Sequence, residues 1–303
     1  MDFYKQINSN KNATYGLFIV FFILIGILSV VISFIVSFYF SGGFFPILSI
    51  FGILSIIFAI ISYYSSNSII VAISGAKEAD SQKFKQLYNI IEELTIASGL
   101  PMPKVYTIED TAINAFATGR DPQHSIVCVT TGCLTRLNRD EVQGVVAHEL
   151  SHIRFYDIRT MAVASVLVGI AVLLSDLILR MVFYSRGGSN DSKDNGIFIV
   201  LLIVGIILAI LTPIIAQVIN YSISRKREFA ADAGAAELTR NPLGLASALE
   251  KISKDTEPLE AANKATAHLY IANPLKGQKL WMMSLFSTHP PIQSRIDALK
   301  GMK

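Results

Sequence analysis

At 303 residues, 52% hydrophobic and only 16% charged, the chain is too apolar for an ordinary soluble domain, in which about a quarter of residues are charged. Its net charge of +3 is no footprint for nucleic acid, and no DNA- or RNA-binding motif accompanies it. Insertion into a membrane is the class these values favour.

From Asn12 through Ala76 there is no Asp, Glu, Lys or Arg, and about 20 apolar residues suffice to cross ~30 Å of hydrocarbon as a helix. The stretch can cross twice, because Ser41-Gly42-Gly43 and Pro46 stop one helix and let the chain return. Spans are predicted at 15–40 and 45–64. The first exceeds a signal-peptide core and no small-residue cleavage site follows it, so it reads as retained.

Beyond the spans, Phe84, Leu87, Tyr88, Ile91 and Leu94 recur at helical spacing between Glu78 and Ala97, and Gly99 with Pro101 ends that helix. Strand-like runs follow at Lys104–Ile108, Ala112–Ala117 and Ser125–Thr130. Cys128 and Cys133, the only cysteines, lack the further ligands of a structural zinc site and read as small, half-buried, reduced residues. His124 reads as a loop residue and His268 as a satisfied interior histidine.

Asn138 with Glu141 three residues on is a capping box that opens a helix. That helix carries Val142, Val145 and Val146 into His148-Glu149-Leu150-Ser151-His152. Imidazoles at i and i+4 share a helix face and can grip one ion, while Glu149 can reach a water beside it. A catalytic zinc wants three protein ligands and one open position. The third donor is expected at Glu228, and Asp232, one turn on, suits a carboxylate that accepts the free N–H of a ligand histidine. Ser151 has no evident base and is not read as a nucleophile.

Between the two motifs lie two more apolar runs, Thr160 to about Phe183 and Gly196 to about Tyr221, joined by Ser185-Arg186-Gly187-Gly188-Ser189-Asn190. Asp176 and Arg180, within the first of these runs, read as a plain ion pair or a snorkelling pair near its outer end. Lys5, Lys11, Arg154, Arg159 and Arg225-Lys226-Arg227 flank the predicted spans on one side, which the positive-inside rule makes cytoplasmic. Asn241-Pro242 and Pro290-Pro291 each open a further helix, the second through Ile292, Ile296 and Leu299. The predicted organisation is a tail and first membrane hairpin (1–64), a first part of the catalytic domain (65–159), a second hairpin (160–221) and a second part of that domain (222–303). The class is α+β, predominantly helical, with four transmembrane helices and both termini and the catalytic domain cytoplasmic.

The HExxH run, Glu228-Phe229-Ala230-Ala231-Asp232, Asn114-Ala115-Phe116-Ala117-Thr118-Gly119 and Thr288-His289-Pro290-Pro291 together resemble the HtpX-type membrane zinc metallopeptidases, relatives of the CAAX prenyl proteases. The resemblance covers nearly the whole chain. It implies a gluzincin-like domain holding one Zn2+, with membrane proteins as substrates and damaged or misfolded ones among them. It also implies that Asn114, Ala115, Phe116 and Ala117 form a substrate-binding edge strand, and that His289 and Arg295 face the scissile carbonyl, where a cation stabilises the oxyanion. The expected reaction is metal-assisted amide hydrolysis with Glu149 as general base and no covalent intermediate. A prenyl-processing enzyme would carry more than four spans. A transporter would place polar residues in mid-span, where these runs are almost uniformly apolar.

Overall fold

The computed structural model describes residues 3–40, 43–166, 202–203, 205–207, 225–260, 266–272 and 290–302. The uncharged N-terminal stretch forms α1 (Phe3–Phe40) and α2 (Phe44–Ser74), which pack against each other across the predicted break at Gly43. Ile19, Ile23 and Phe34 of α1 and Ile50, Ile53, Ile57 and Ile60 of α2 are exposed. Among the described residues no helix is long and apolar enough to cross a membrane. Most of the second predicted hairpin, with Asp176 and Arg180, lies outside the described residues.

After α2 the chain builds a small sheet from β1 (Lys77–Glu78), β2 (Lys104–Ile108), β3 (Ala115–Gly119) and β4 (Ser125–Thr130), in the order β1-β2-β4-β3. β2 and β4 are parallel, with Val105 opposite Val127, and β3 runs antiparallel to β4, with Phe116 opposite Cys128. Two strands fall where the strand-like runs place them, at Lys104–Ile108 and Ser125–Thr130. The third begins at Ala115 rather than Ala112, because the Ile113 and Asn114 amides donate instead to Asp255 Oδ2 (2.9 Å) and Thr130 Oγ1 (3.1 Å). The helix expected from Glu78 begins at Lys85, as α3 (Lys85–Ser98), since Lys77–Glu78 pair with Tyr106–Thr107 as β1. Gly99 ends α3 at φ 67, in the left-handed region where glycine carries no penalty. Cys128 and Cys133 are fully buried rather than half-buried, and burial pushes the Cys133 thiol up to about 12, which makes it inert at neutral pH.

The helices that build the rest of this domain include α4 (Thr131–Arg136), α5 (Arg139–Arg154), α6 (Arg225–Thr239), α7 (Pro242–Lys254) and α8 (Ile292–Lys300). The capping box is formed: Asn138 Oδ1 accepts from Glu141 N at 2.9 Å, and Glu141 Oε2 from Asn138 N at 2.8 Å. Glu141 also accepts from Lys251 Nζ and Ser247 Oγ, both at 2.7 Å, which ties the start of α5 to α7. α5 is the central element. Its Val142, Val145, Val146, Leu150 and Ile153 are buried together with Ile90 and Ile91 of α3, Val127 of β4, Leu245 and Leu249 of α7 and Ile296 of α8. At about 1.5–3 kcal/mol for each fully buried aliphatic side chain, this core holds α5 from several sides.

Gly144 sets how closely α5 and α7 approach, since a Cβ there would lie 2.6 Å from Leu245 N and 2.8 Å from Leu245 Cα. Backbone cannot yield as a flexible side chain can. Gly144→Ala is therefore expected to destabilise the fold by about 1–3 kcal/mol, in the range of overpacked cores, and to lower the melting temperature. An unchanged melting temperature would show that the two helices can separate at no cost.

Candidate active site

α5 presents His148 and His152 on one face, one turn apart, and the start of α6 brings Glu228 to them. His148 Nε2 lies 3.1 Å from His152 Nε2; Glu228 Oε2 is 3.8 Å from the first and Glu228 Oε1 3.6 Å from the second. All three side chains are buried, and one ligand atom from each falls within 4.8 Å of the others. Four-coordinate zinc with ligands at ~2.0–2.1 Å requires ligand atoms about 3.3–3.4 Å apart, and these separations bracket that value.

The outer nitrogens account for the arrangement. His148 Nδ1 is 3.0 Å from Asp232 Oδ1, and His152 Nδ1 is 3.1 Å from Asp157 Oδ2. Each imidazole donates its Nδ1 proton to a carboxylate, so both Nε2 lone pairs converge with a third anionic acceptor. Acceptors gathered this way need a cation among them. A proton shared between the two Nε2 atoms satisfies only two, whereas a tetrahedral ion satisfies all three.

The electrostatics follow the partners. Burial, reinforced by the Arg295 charge, lowers His148 to about 4 and keeps it a neutral ligand. Burial also opposes charge on His152, but the Asp157 hydrogen bond and the negative charges of Glu228, Asp157 and Glu149 raise it to about 9. Burial pushes Asp232 up as well, yet the Arg295 charge and hydrogen bonds from His148 and Arg295 hold it well below the usual carboxylate range. Glu149 is 1% exposed, and neither of its oxygens has a hydrogen-bond partner among the described residues. Burial, with a smaller contribution from Glu228, pushes it up to about 7. The Ala117 amide of β3 faces this carboxylate.

With this geometry in place, relatives decide the class. Residues 81–303 match peptidase family M48. The chain belongs to that family. This M48 chain is 46% identical over 303 residues to the Protease HtpX homolog of Dictyoglomus thermophilum, covering 99% of the chain and 95% of the relative. It is 41% identical over 307 residues to the Protease HtpX homolog of Listeria monocytogenes serotype 4a, covering 99% of each. Both the HtpX-type resemblance and the metalloprotease class hold. The crystal structure of S. mikatae Ste24p has a similar fold, with a TM-score of 0.50 and 20% identity over 90% of this chain. The chain spans 62% of that protein's length, and the likeness is one of fold.

Two groups of residues expected from the HtpX-type resemblance have partners within the chain. Arg295, expected at the scissile carbonyl, is fully buried with its guanidinium on Asp232: Nε donates to Oδ2 at 2.9 Å and Nη2 to Oδ1 at 2.7 Å. Nη1 also donates to Ile271 O at 3.1 Å and lies 3.4 Å from Glu228 Oε2. The buried Asp232 carboxylate requires this countercharge, so Arg295 anchors the residue that orients His148. Its expected companion His289 lies outside the described residues. The expected edge strand is the second. β3 does lie at the edge of the sheet, but its side chains are buried and its outer edge pairs with the chain itself. Phe116 bridges Tyr270, Ile271 N donates to Ala115 O at 3.0 Å, and Asn114 Nδ2 to Ala272 O at 3.2 Å. At Ala115 and Phe116 the edge is thus paired within the chain.

Other residues settle as expected or were not foreseen. His268 is buried against Ser165 Oγ (3.1 Å) and Met161 O (3.2 Å), and His124 ends a short 3-10 turn with Nδ1 2.7 Å from Asp121. Ser151 donates to Ala147 O at 2.8 Å and packs where a Cβ on Gly234 of α6 would come within 2.6 Å of its Oγ, so it serves helix packing. Asp157 was missed. The rule that each ligand histidine wants a carboxylate partner was the available signal, and it was applied to one histidine only.

A buried carboxyl whose native pKa of about 7 exceeds its ordinary 4.5 binds protons more tightly folded than unfolded. Stability therefore falls as pH rises through that window and stays lower above it. In the metal-free protein, Glu149→Gln is expected to add stability of order ~3 kcal/mol at pH 8, at ~1.4 kcal/mol per pKa unit, and so raise the melting temperature there, and to change little at pH 4.5. Equal shifts at both pH values would show that the buried charge is not the cause.

Proposed function

We propose that the protein is a membrane-embedded zinc endopeptidase that hydrolyses peptide bonds of damaged or misfolded membrane proteins on the cytoplasmic side. The observation that carries the hydrolytic part is the convergence of His148 Nε2, His152 Nε2 and the Glu228 carboxylate beside a buried Glu149 with no hydrogen-bond partner among the described residues. A zinc ion held by these three residues, one per chain, supplies polarisation of the scissile carbonyl and acidification of water. Glu149 takes a proton from the attacking water and returns it to the departing amine, a role suited to a carboxyl raised to about 7. Asp232 and Asp157 hold the Nδ1 protons of the two ligands, and Arg295 fixes Asp232. Ala117, whose amide faces Glu149, lies on the side of β3 where a substrate backbone would run, and His289 serves at the carbonyl oxygen.

The uncharged run from Asn12 to Ala76 and the exposed isoleucines of α1 and α2 support membrane insertion, since apolar residues on outer helix faces need lipid or a partner. Four spans, with both termini and the site on the cytoplasmic side, follow from the two further apolar runs and the flanking Lys and Arg. His152 lies eight residues before Thr160 and Glu228 seven after Tyr221. Connectors of that length reach only about 10–12 Å if helical and about 25–29 Å if fully extended, which tethers the site to the membrane surface. Juxtamembrane loops and unfolded cytoplasmic tails are the segments it can reach.

Glu149→Gln is expected to lower hydrolysis of an unfolded membrane protein by at least about 100-fold while bound metal stays at the wild-type level; near-normal turnover would remove Glu149 from the mechanism. Glu228→Ala is expected to lose metal and activity together, and full metal content would send the search to another third ligand. For placement, a single-span reporter with a cleavable segment on either side of the bilayer is expected to be cut on the cytoplasmic side. Dominant cleavage on the far side in intact membranes would overturn the orientation.

A further inference from the structure

α5 stops at Arg154, and Tyr156 then adopts φ 61, a left-handed conformation that is strained for a non-glycine residue. Were the helix to continue, position 157 would point ~140° away from His152. The turn at Tyr156 instead brings Asp157 back to His152, Oδ2 to Nδ1 at 3.1 Å. Something must hold that turn, and it comes from the other end of the chain. Asn10 of α1, 1% exposed, donates from Nδ2 to Phe155 O at 2.8 Å and to Asp157 Oδ1 at 2.6 Å. Both partners are acceptors, so the amide nitrogen must face them, and its two hydrogens are spent one on each side of Tyr156. The contact is part of a larger seam: Thr160 Oγ1 donates to Asn10 O at 3.2 Å, Thr14 Oγ1 lies 3.0 Å from Thr160 Oγ1, and Lys11 Nζ sits 4.8 Å above the Tyr156 ring. Arg227, the neighbour of Glu228, adds charge at Asp157 Oδ1 from 3.5 Å.

Resting on the reading that His148, His152 and Glu228 hold the metal, we infer that Asn10 is a positioning residue for the metal site. By clamping Phe155 O and Asp157 Oδ1, it holds the strained turn and leaves Asp157 Oδ2 to accept from His152 Nδ1, which aims His152 Nε2 at the ion. The N-terminal helix is thereby part of the catalytic unit and not only an anchor for it.

The test uses the full chain and measures zinc affinity by competition with a chromophoric chelator, with thermal unfolding of the metal-free protein as the check on folding. Asn10→Ala and the isosteric Asn10→Asp, which keeps the shape and loses the donors, are expected to weaken zinc binding about 3–30-fold, less than the 10–100-fold of a group that touches the ligand itself. Thr14→Val cuts the same seam without reaching Asp157 and is expected to stay within about twofold of wild type. Adding Asn10→Ala to Asp157→Ala is expected to cost nothing further, because the two act through one path. Wild-type affinity in Asn10→Ala, an equal loss in Thr14→Val, or full additivity of Asn10→Ala with Asp157→Ala would each overturn the inference. Should Asn10→Asp fail to fold, Asn10→Ala and the double variant decide. Wild-type protein that binds no zinc would instead bring down the metal-site reading itself, a failure distinguishable from loss in the Asn10 variants alone.

Discussion

Two imidazole lone pairs and a carboxylate aimed at one buried point repel one another, and the structure around the site depends on that constraint. Each acceptor has to be held by something behind it: Asp232 behind His148, Asp157 behind His152, and the start of α6 behind Glu228. Among the described residues, the buried carboxylates Glu149, Asp157, Glu228 and Asp232 face the buried guanidiniums of Arg227 and Arg295. With both imidazoles neutral, that excess of two negative charges is what one divalent cation neutralises. Burying the excess without the ion is costly, since an unpaired buried charge loses its hydration. The raised Glu149 and His152 show how protons respond in its place.

Much of this was legible in the sequence where the relation between residues is local. His148, Glu149 and His152 are joined by helical periodicity, Asn138 and Glu141 by capping chemistry, and Glu228 and Asp232 by a single turn. The strands at Lys104–Ile108 and Ser125–Thr130 followed from short strand-like runs and the turn residues that bound them. What could not be read is long-range or depends on broken periodicity. Asp157 meets His152 only because Tyr156 leaves the helical region. Arg295 meets Asp232 across 63 positions, and no spacing rule separates a buried arginine from one on the surface of α8. The covered edge of β3 depends on residues 270–272, which carry no strand pattern of their own.

Close helix packing and the metal site are linked through small residues. Gly144 lets α7 approach α5, and Gly234 lets α6 approach it at Ser151, inside the HExxH motif itself. A larger residue at either position would separate the helix that carries the two histidines from an element that supports it. Displacements near 1 Å matter at such a site, because ligand distances are fixed to a few tenths of an ångström. Tight packing here sets geometry as much as stability. The buried Glu149 carboxylate shows the opposite balance, a group whose burial destabilises the fold and whose chemistry requires that burial.

The boundary of the catalytic unit also moves. The M48 match covers residues 81–303, while the HtpX homologs align over 99% of the chain, and the contacts of α1 give that difference a physical meaning. Asn10, Lys11 and Thr14 lie along one side of α1 and meet Phe155 to Thr160, the segment that leaves α5. A helix whose outer face is apolar can be held in a bilayer by hydrophobicity alone, and that force does not fix its rotation about its own axis. The buried hydrogen bonds of the Asn10 amide do fix it, because a turned helix would take that donor away from Phe155 O and Asp157 Oδ1 in a place water does not reach. The same bonds that orient the metal ligand therefore orient α1. A rotation of α1 and a change in His152 geometry cannot occur independently.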